Sequence, residues 1–155
     1  MQTGVVVAEI MTRKPITIPR NISVRTAAQL MKEKRVGSLL VVENNELQGI
    51  LTKSDIIKEV VAEAKNPQDI RAEDIMTRAV ITTKPHQDVF DALVLMKDND
   101  VRHLPVLDEE ALAGFVTIKD IIKINPALLE IVREDINLRE EERKLRAKPF
   151  EPQEL

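Results

Sequence analysis

The sequence predicts a mixed α/β fold: two β-α-β-β-α units packed sheet against sheet with pseudo-twofold symmetry, followed by a C-terminal helical tail. The first observation is a repeat, since Ile10-Met11-Thr12-Arg13 recurs as Ile75-Met76-Thr77-Arg78 at an offset of 76 − 11 = 65 residues. About twenty identities fall in about fifty positions at this offset without a gap, which indicates a duplicated structural unit. The second observation is that short β-branched runs alternate with apolar stripes of helical spacing.

The repeat divides the chain into repeat 1 (residues 8–65), repeat 2 (residues 73–124) and a tail (residues 125–155). A unit this small buries too little apolar surface to be stable on its own. Its three-stranded sheet also has one face uncovered. Two copies can bury those faces against each other, which leaves a cleft between the repeats.

A strand and a helix open each repeat. Pro15-Ile16-Thr17-Ile18 is short and β-branched, which predicts a strand. Ser23 is then a suitable N-cap, because its hydroxyl can accept a hydrogen bond from the first helical turn. The apolar residues that follow have helical spacing: Val24, Ala27, Ala28 and Met31. In repeat 2 the cap is Asp88, and the same stripe is Val89, Ala92, Leu93 and Met96.

A hairpin and a second helix close each repeat. The apolar run 39–42 predicts a buried strand, residues 43–46 predict a turn, and residues 47–51 predict the returning strand. Thr52 begins the second helix, which is predicted to carry four apolar residues on one face: Ile56, Ile57, Val60 and Val61.

The tail has its own pattern. Asn125-Pro126 is a suitable N-cap and first helical residue. An apolar patch over 128–132 precedes a highly charged stretch over 138–146 with i,i+3 and i,i+4 pairs. That stretch predicts either a solvated helix on its own domain or a surface for a dimer or partner. Residues 148–155 are expected to fray.

Composition excludes several classes of function. The chain has no Cys, which excludes disulfides, cysteine nucleophiles and Cys-ligated metals, and its two His lack zinc-type spacing. Aromatic residues make up only 2% and the net charge is −3, which argues against nucleic-acid binding. No apolar run is long enough to span a membrane, and the N-terminus has no signal-peptide layout. We therefore expect a cytoplasmic protein without a catalytic constellation.

The sharpest motif is Gly-h-h-Thr-x-x-Asp (h, hydrophobic), at residues 49–55 and again at 114–120. One interpretation is a capping box, in which Thr52 or Thr117 caps a helix and the Asp reaches back to it. The other is a ligand site, in which Thr contacts a phosphate and Asp55 or Asp120 accepts hydrogen bonds from ribose hydroxyls. An Asp engaged in capping is less free for ribose, so the two interpretations compete.

The duplicated unit, its Ile-Met-Thr opening and both copies of this motif resemble the CBS domain, and the pair over residues 8–124 resembles a Bateman module. The resemblance implies that the cleft binds adenosine-containing ligands: AMP, ADP, ATP or S-adenosylmethionine. It implies that the motif Asp holds ribose and that the motif Thr contacts ribose or phosphate. The base is implied to lie near the first strand and the strand after the first helix, which gives Ile16, Thr17, Ile81 and Thr82 as first-strand candidates.

The two candidate sites differ in charge. Gly37-Ser38-Leu39-Leu40-Val41 in repeat 1 corresponds to Arg102-His103-Leu104-Pro105-Val106 in repeat 2. The second segment resembles one in the gamma subunit of AMP-activated protein kinase and its relatives, where basic side chains reach the phosphate. We therefore expect a phosphate-competent site with Arg102, whose guanidinium suits phosphate. Gly37 and Ser38 offer room without charge, so the other site is expected to be weak, empty or suited to a less anionic ligand.

The two histidines lie in different surroundings in the sequence. The alternative for Arg102 and His103 is a solvated strand end. In the cleft, His103 would be the residue that titrates near neutrality. His86 lies in a polar turn and is expected to be exposed.

The favoured function is a non-catalytic regulatory module that binds an adenosyl ligand and changes shape or partner affinity. The rival is a ligand-free scaffold that holds a partner protein or a second copy. The resemblance implies a homodimer. An enzyme is third, because no nucleophile–base pair or metal cluster is present in the sequence. No cofactor is expected beyond the adenine nucleotide or S-adenosylmethionine as regulatory ligand, and neither a membrane nor nucleic acid is expected as a partner.

Overall fold

The structure is a computed structural model and describes residues 1–133. The first half contains α1 (Val7–Ile10), β1 (Thr17–Ile18), α2 (Val24–Lys34), β2 (Ser38–Glu43), β3 (Glu46–Thr52) and α3 (Lys53–Ile56), which continues as a π-helical turn (Ile57–Val61). The second half contains α4 (Ala72–Ile75), α5 (Val89–Asp98), β4 (His103–Asp108), β5 (Ala111–Thr117), α6 (Ile118–Ile124) and a 3₁₀ turn (Pro126–Leu128).

The two hairpins have the same register. Ser38 pairs with Thr52 in one hairpin and His103 pairs with Thr117 in the other, at the 65-residue offset. Each hairpin has an irregularity at the same place, after Val41 in β2 and after the equivalent residue in β4. The five strands follow the order β1-β2-β3-β5-β4, and the predicted mixed α/β fold with pseudo-twofold symmetry is confirmed.

The first strand of each repeat is shorter than predicted. β1 is limited to Thr17–Ile18 and runs parallel to β2. The expected strand at Ile81 and Thr82 is wrong, because repeat 2 has only a bridge between Thr83 and Val106. The reason is Pro105, which stands where repeat 1 has Leu40. Leu40 donates its amide to the carbonyl of residue 16 at 3.2 Å, and proline has no amide to donate.

The segments that open the two repeats cross over. Val7 of α1 is fully buried in the core of repeat 2, whereas Ala72 and Met76 are buried in the core of repeat 1. The two crossings are symmetric, since Thr12 bridges to Phe115 in β5 and residue 77 bridges to residue 50 in β3. Each repeat therefore completes its hydrophobic core with a segment that precedes the other repeat in sequence.

The motif glycines make room for these crossings. A Cβ on Gly49 would lie 2.8 Å from Met76 Sδ and 2.7 Å from the carbonyl oxygen of residue 77. A Cβ on Gly114 would lie 2.6 Å from Met11 Sδ and 2.8 Å from the Thr12 carbonyl oxygen. Such contacts are shorter than carbon can accept, so only glycine lets the backbones approach this closely.

The first helices confirm the predicted caps and stripes. Ser23 accepts from Thr26 N–H at 3.1 Å, and Asp88 accepts from Phe90 N–H at 2.8 Å. The α5 stripe is buried at all four positions, whereas in α2 Ala28 is only partly buried.

The prediction that the second helix of repeat 1 carries its four apolar residues on one face is wrong. Val60 is buried, but Ile57 and Val61 are 58% and 67% exposed. Residues one apart in a helix point about 100° from each other, so a stripe this wide exceeds the strip that the core covers.

The tail begins as predicted. Asn125 Oδ1 accepts from Ala127 N–H at 3.2 Å, with Pro126 at the first helical position. Leu128 and Val132 are buried against the core of repeat 2. The charged stretch 138–146 and the end at 148–155 lie outside the described residues. Over residues 1–133, every helix is too short or too polar to cross a membrane.

Candidate functional site

Two adjoining cavities lie between the repeats. We call the first, of about 170 Å³, the apolar lobe; its lining residues are Thr12, Lys14, Pro15, Ile16, Val36, Ser38, Leu40 and Phe115. We call the second, of about 340 Å³, the cationic lobe; its lining residues are Ser38, Arg102, His103, Phe115, Thr117, Ile118 and Lys119. Ser38 and Phe115 line both lobes, so the lobes adjoin at these two residues, and we call the two together the cleft.

The apolar lobe is built mainly by repeat 1. The segment from Thr12 to Ile16 and residues at and just before the start of β2 both line it. Of the predicted residues, Ile16 and Ser38 line this lobe. Thr17 is exposed and lines neither lobe, because successive residues of an extended chain point to opposite sides.

The cationic lobe is built mainly by repeat 2. It brings together four of the predicted residues, which are Ser38, Arg102, His103 and Thr117. It adds Lys119 from the first turn of α6. Arg102 is exposed, and no carboxylate among residues 1–133 forms an ion pair with its guanidinium. The lobe therefore presents positive charge that the described part of the chain leaves unneutralised.

His103 lies against an aromatic ring in this lobe. Its imidazole stacks on Phe115 with ring centroids 5.5 Å apart and an interplanar angle of 27°. Burial lowers the pKa of His103 below its usual value, because desolvation disfavours the charged ring. Within residues 1–133 no hydrogen bond engages either ring nitrogen, so the imidazole is available to a molecule in the cleft.

Both copies of the motif form capping boxes. Asp55 Oδ2 accepts from Thr52 N–H at 2.8 Å and from the Thr52 hydroxyl at 2.9 Å, and Thr52 Oγ1 accepts from Asp55 N–H at 3.2 Å. Asp120 Oδ2 accepts from Thr117 N–H at 2.9 Å, and Thr117 Oγ1 accepts from Asp120 N–H at 3.2 Å. The capping interpretation is therefore confirmed as geometry.

The caps do not use the whole of each side chain. In the described residues no donor reaches Oδ1 of Asp55 or Oδ1 of Asp120. Unlike Thr52, Thr117 donates its hydroxyl to no group of residues 1–133. Neither Asp lines a lobe, and of the two motif threonines only Thr117 does so.

The other predicted residues lie away from the lobes. Gly37 ends the loop before β2, where its carbonyl accepts from Lys53 N–H at 2.9 Å. Leu104 and Pro105 are buried in β4, and Ile81 packs against the core of repeat 2. Thr82 lines a separate cavity next to α5.

Phe115 is the main site residue that the sequence pattern does not single out. It occupies an apolar position of the motif, within a run that predicts a buried strand. The available signal is the period of two along β5, which puts Phe115 on the same face as Thr117. Lys14 and Lys119 are missed as well, because isolated exposed lysines carry no pattern.

Comparison with known proteins agrees with this architecture. The family model of the CBS domain matches residues 7–62 and 72–126. An uncharacterized protein of Methanopyrus kandleri is 36% identical over 141 residues, which cover 90% of this chain and 72% of that protein. A structure with CBS domains from Burkholderia ambifaria is 34% identical, with a TM-score of 0.73, covering 79% of this chain and 95% of that one.

A further structure is of a CBS domain pair in complex with adenosyl compounds. The pair of protein MJ0100, with 5′-methylthioadenosine and S-adenosyl-L-methionine, is 32% identical, has a TM-score of 0.69, and covers 79% of this chain and 97% of that one. With both repeats matched by the family model, the chain belongs to the CBS domain family and carries the domain as a tandem pair.

Proposed function

We propose that the chain is a non-catalytic regulatory module that binds an adenosine-containing ligand in the cleft between its repeats. The observation that carries the proposal is that the two lobes adjoin at Ser38 and Phe115. The apolar lobe is lined mostly by apolar side chains, with Lys14 as its charged lining residue, whereas the cationic lobe carries Arg102 and Lys119. An adenine nucleotide has the same polarity, with a planar base at one end and phosphate at the other.

The apolar lobe suits the base. Its walls carry Pro15, Ile16, Val36 and Leu40, and Phe115 offers an aromatic ring at the junction of the lobes. Small-molecule sites are typically apolar with a few polar groups that fix orientation. Here Ser38 supplies such a group, because its hydroxyl can donate to or accept from a ring nitrogen or a sugar hydroxyl.

The cationic lobe suits the phosphate. A guanidinium binds phosphate through two parallel charge-assisted hydrogen bonds, and Arg102 has no ion pair with any carboxylate in residues 1–133 that would compete. Lys119 adds a second positive charge, and the unused hydroxyl proton of Thr117 adds a donor. The same charge disfavours S-adenosylmethionine, whose sulfonium is positive, so we expect nucleotides to bind more tightly.

The related pair of protein MJ0100 supports the adenosyl class, since it is in complex with two adenosyl compounds. Capping and ribose binding are compatible at the motif, because each cap occupies only one carboxylate oxygen. The ligand would contact both repeats, and it would therefore favour whichever arrangement of the repeats binds it better.

Calorimetry tests the proposal. AMP, ATP, adenosine and S-adenosylmethionine are titrated into the wild-type chain, into Arg102→Ala and into Arg25→Ala, an exposed arginine on α2 outside both lobes. Loss of one charged hydrogen bond, about 1.5–3 kcal/mol, predicts roughly 10- to 150-fold weaker AMP binding in Arg102→Ala only, with adenosine unchanged. If no adenosyl compound binds below millimolar concentration, the proposal is wrong.

The second candidate is a ligand-free scaffold for a partner protein or a second copy. The observation that favours it is the exposed apolar surface of Ile57 and Val61, beside a groove lined by Ala28, Met31 and Val36. Exposed apolar surface of this kind marks interaction sites in many proteins. The scaffold predicts a stable assembly with no ligand, and the same calorimetry separates it from the sensor.

A further inference from the structure

We propose that His103 takes up a proton when a phosphate-bearing ligand occupies the cationic lobe, so that lower pH strengthens the cleft's preference for phosphorylated over unphosphorylated adenosyl ligands. The inference rests on the proposed function and adds a regulatory input, pH, to the same site. It also assigns discrimination between ligands to a residue other than Arg102.

The position of the ring carries the inference. His103 is the first residue of β4, pairs with Thr117 and lines the cationic lobe with it. Phe115 stacks on one face of the ring, with the ring centroids 5.5 Å apart. A phosphate held by Arg102, the preceding residue, would therefore lie next to a ring whose nitrogens have no hydrogen-bond partner in residues 1–133.

Burial favours the neutral ring in the free protein, because desolvation lowers the pKa of His103. Arg102 and Lys119 line the lobe with His103, and like charges disfavour the imidazolium. Repeat 1 contributes only the uncharged Ser38 to this lobe, and Lys14 is the charged residue in the adjoining apolar lobe. The one carboxylate on the first turn of α6, Asp120, is engaged in capping Thr117.

A phosphate reverses this balance. Two negative charges near the ring favour the imidazolium, so the pKa of His103 becomes higher in the complex than in the free protein. The extra affinity is fully present below the free pKa and is lost as pH rises through the pKa of the complex. Each unit of difference between the two pKa values corresponds to about tenfold in affinity between these limits. Adenosine brings no charge and gains nothing.

Nuclear magnetic resonance can test this directly, because the chain has only two histidines. The imidazole signals of the wild-type chain are titrated with pH in the free state, with saturating adenosine and with saturating AMP. His86, which is exposed and lines neither lobe, supplies the reference signal. We expect the His103 midpoint to rise by at least one unit with AMP and not with adenosine. A midpoint that is unchanged or lower with bound AMP would overturn the inference.

The phosphate of AMP itself titrates near pH 6, so a second measurement is needed to separate its protonation from that of His103. Proton uptake on AMP binding is measured by calorimetry in buffers of different ionisation enthalpy, for the wild type and for His103→Gln. The phosphate is common to both complexes, so uptake by the wild type in excess of the variant requires the imidazole of His103. Equal proton uptake by the two proteins would contradict the inference without contradicting the proposed function. If neither AMP nor adenosine binds the wild type, both fail.

Discussion

Thr12 and Phe115 are joined by two backbone hydrogen bonds, from Thr12 N–H to the Phe115 carbonyl at 2.8 Å and from Phe115 N–H to the Thr12 carbonyl at 2.9 Å. The pair ties the segment before β1 to strand β5 of the other repeat. Its pseudo-symmetric counterpart ties Thr77 to Ile50 at 2.9 and 3.0 Å. Because Thr12 and Phe115 both line the apolar lobe, the shape of the cleft depends on this crossing.

The crossing predicts that Gly114→Ala destabilises the protein and weakens ligand binding. The new Cβ would meet Met11 Sδ at 2.6 Å and the Thr12 carbonyl oxygen at 2.8 Å, and the backbone cannot move without disturbing both hydrogen bonds. Overpacking of this kind costs about 1–3 kcal/mol. Chemical denaturation measures the loss, and AMP calorimetry measures the damage to the cleft.

Gly37→Ala is the matched control. A Cβ there would lie 3.4 Å from atoms of the flexible Lys53 side chain, which is ordinary contact. We expect stability within about 0.5 kcal/mol of wild type. Equal losses for the two variants would show that the crossing is not what the motif glycine serves.

The two motif carboxylates predict stability losses of the same order and unequal effects on ligand binding. Asp55→Ala and Asp120→Ala each remove a capping acceptor, which costs about 0.5–2 kcal/mol. Only Asp120 follows a threonine that lines a lobe, so Asp120→Ala should also weaken AMP and adenosine together, because both contain ribose. Melting curves and calorimetry on the two variants separate these effects. Unchanged adenosine binding in Asp120→Ala would contradict the ribose assignment.

Much of the fold is predictable from the sequence, because the duplication fixes hairpin register, helix caps and core stripes together. The crossing is different. Met11 and Met76 begin identical Met-Thr-Arg segments, so by sequence either segment could pack on its own repeat or on the other repeat. Only the burial of Val7 in the core of repeat 2 and of Ala72 in the core of repeat 1 shows that the segments cross over. The short strand of repeat 2 also depends on one missing amide, at Pro105.

The site is predictable where charge or chemistry marks a residue. Arg102, His103 and Thr117 are found by sequence and lie in one lobe. Phe115 is not predicted as a lining residue, because an apolar residue at this position of the motif is also what a buried core strand would have. Its importance comes from lining both lobes, which requires knowledge of how two distant strand ends meet.

The hydrogen bonds of Asp88 to the N-terminal segment are predicted to depend on pH. Its carboxylate accepts from Thr3 N–H at 2.9 Å, from the Thr3 hydroxyl at 2.9 Å and from Gly4 N–H at 3.0 Å, besides capping α5 through Phe90 at 2.8 Å. Burial alone would raise the pKa of Asp88, but these hydrogen bonds outweigh it and lower the pKa below its usual 3.8.

The sign of this linkage follows from the lowered pKa. The contribution of Asp88 to stability is present above pH 3.8 and is lost as pH falls through the pKa of the folded state. Asp88→Ala should therefore lower stability at pH 7 by about 0.5–2 kcal/mol, as for a lost cap, and flatten the acid limb of the stability curve. Hydrogen exchange should rise over residues 3–7. Asp98→Ala, at the other end of α5, is the control and should leave exchange there unchanged.

The exposed apolar turn after α3 predicts an effect on assembly without an effect on the fold. Ile57 and Val61 are 58% and 67% exposed, whereas their neighbour Val60 is 1% exposed. Val61→Glu should change the free energy of unfolding by no more than about 0.5 kcal/mol, because the surface position contributes no core contact.

If this face joins two copies of the chain, the buried charge should dissociate them. Light scattering over a concentration series measures the mass of wild type and variant. Val60→Ala, which should lower stability through a core cavity, is the control for folding defects. A wild-type dimer that persists in Val61→Glu would show that the copies meet elsewhere.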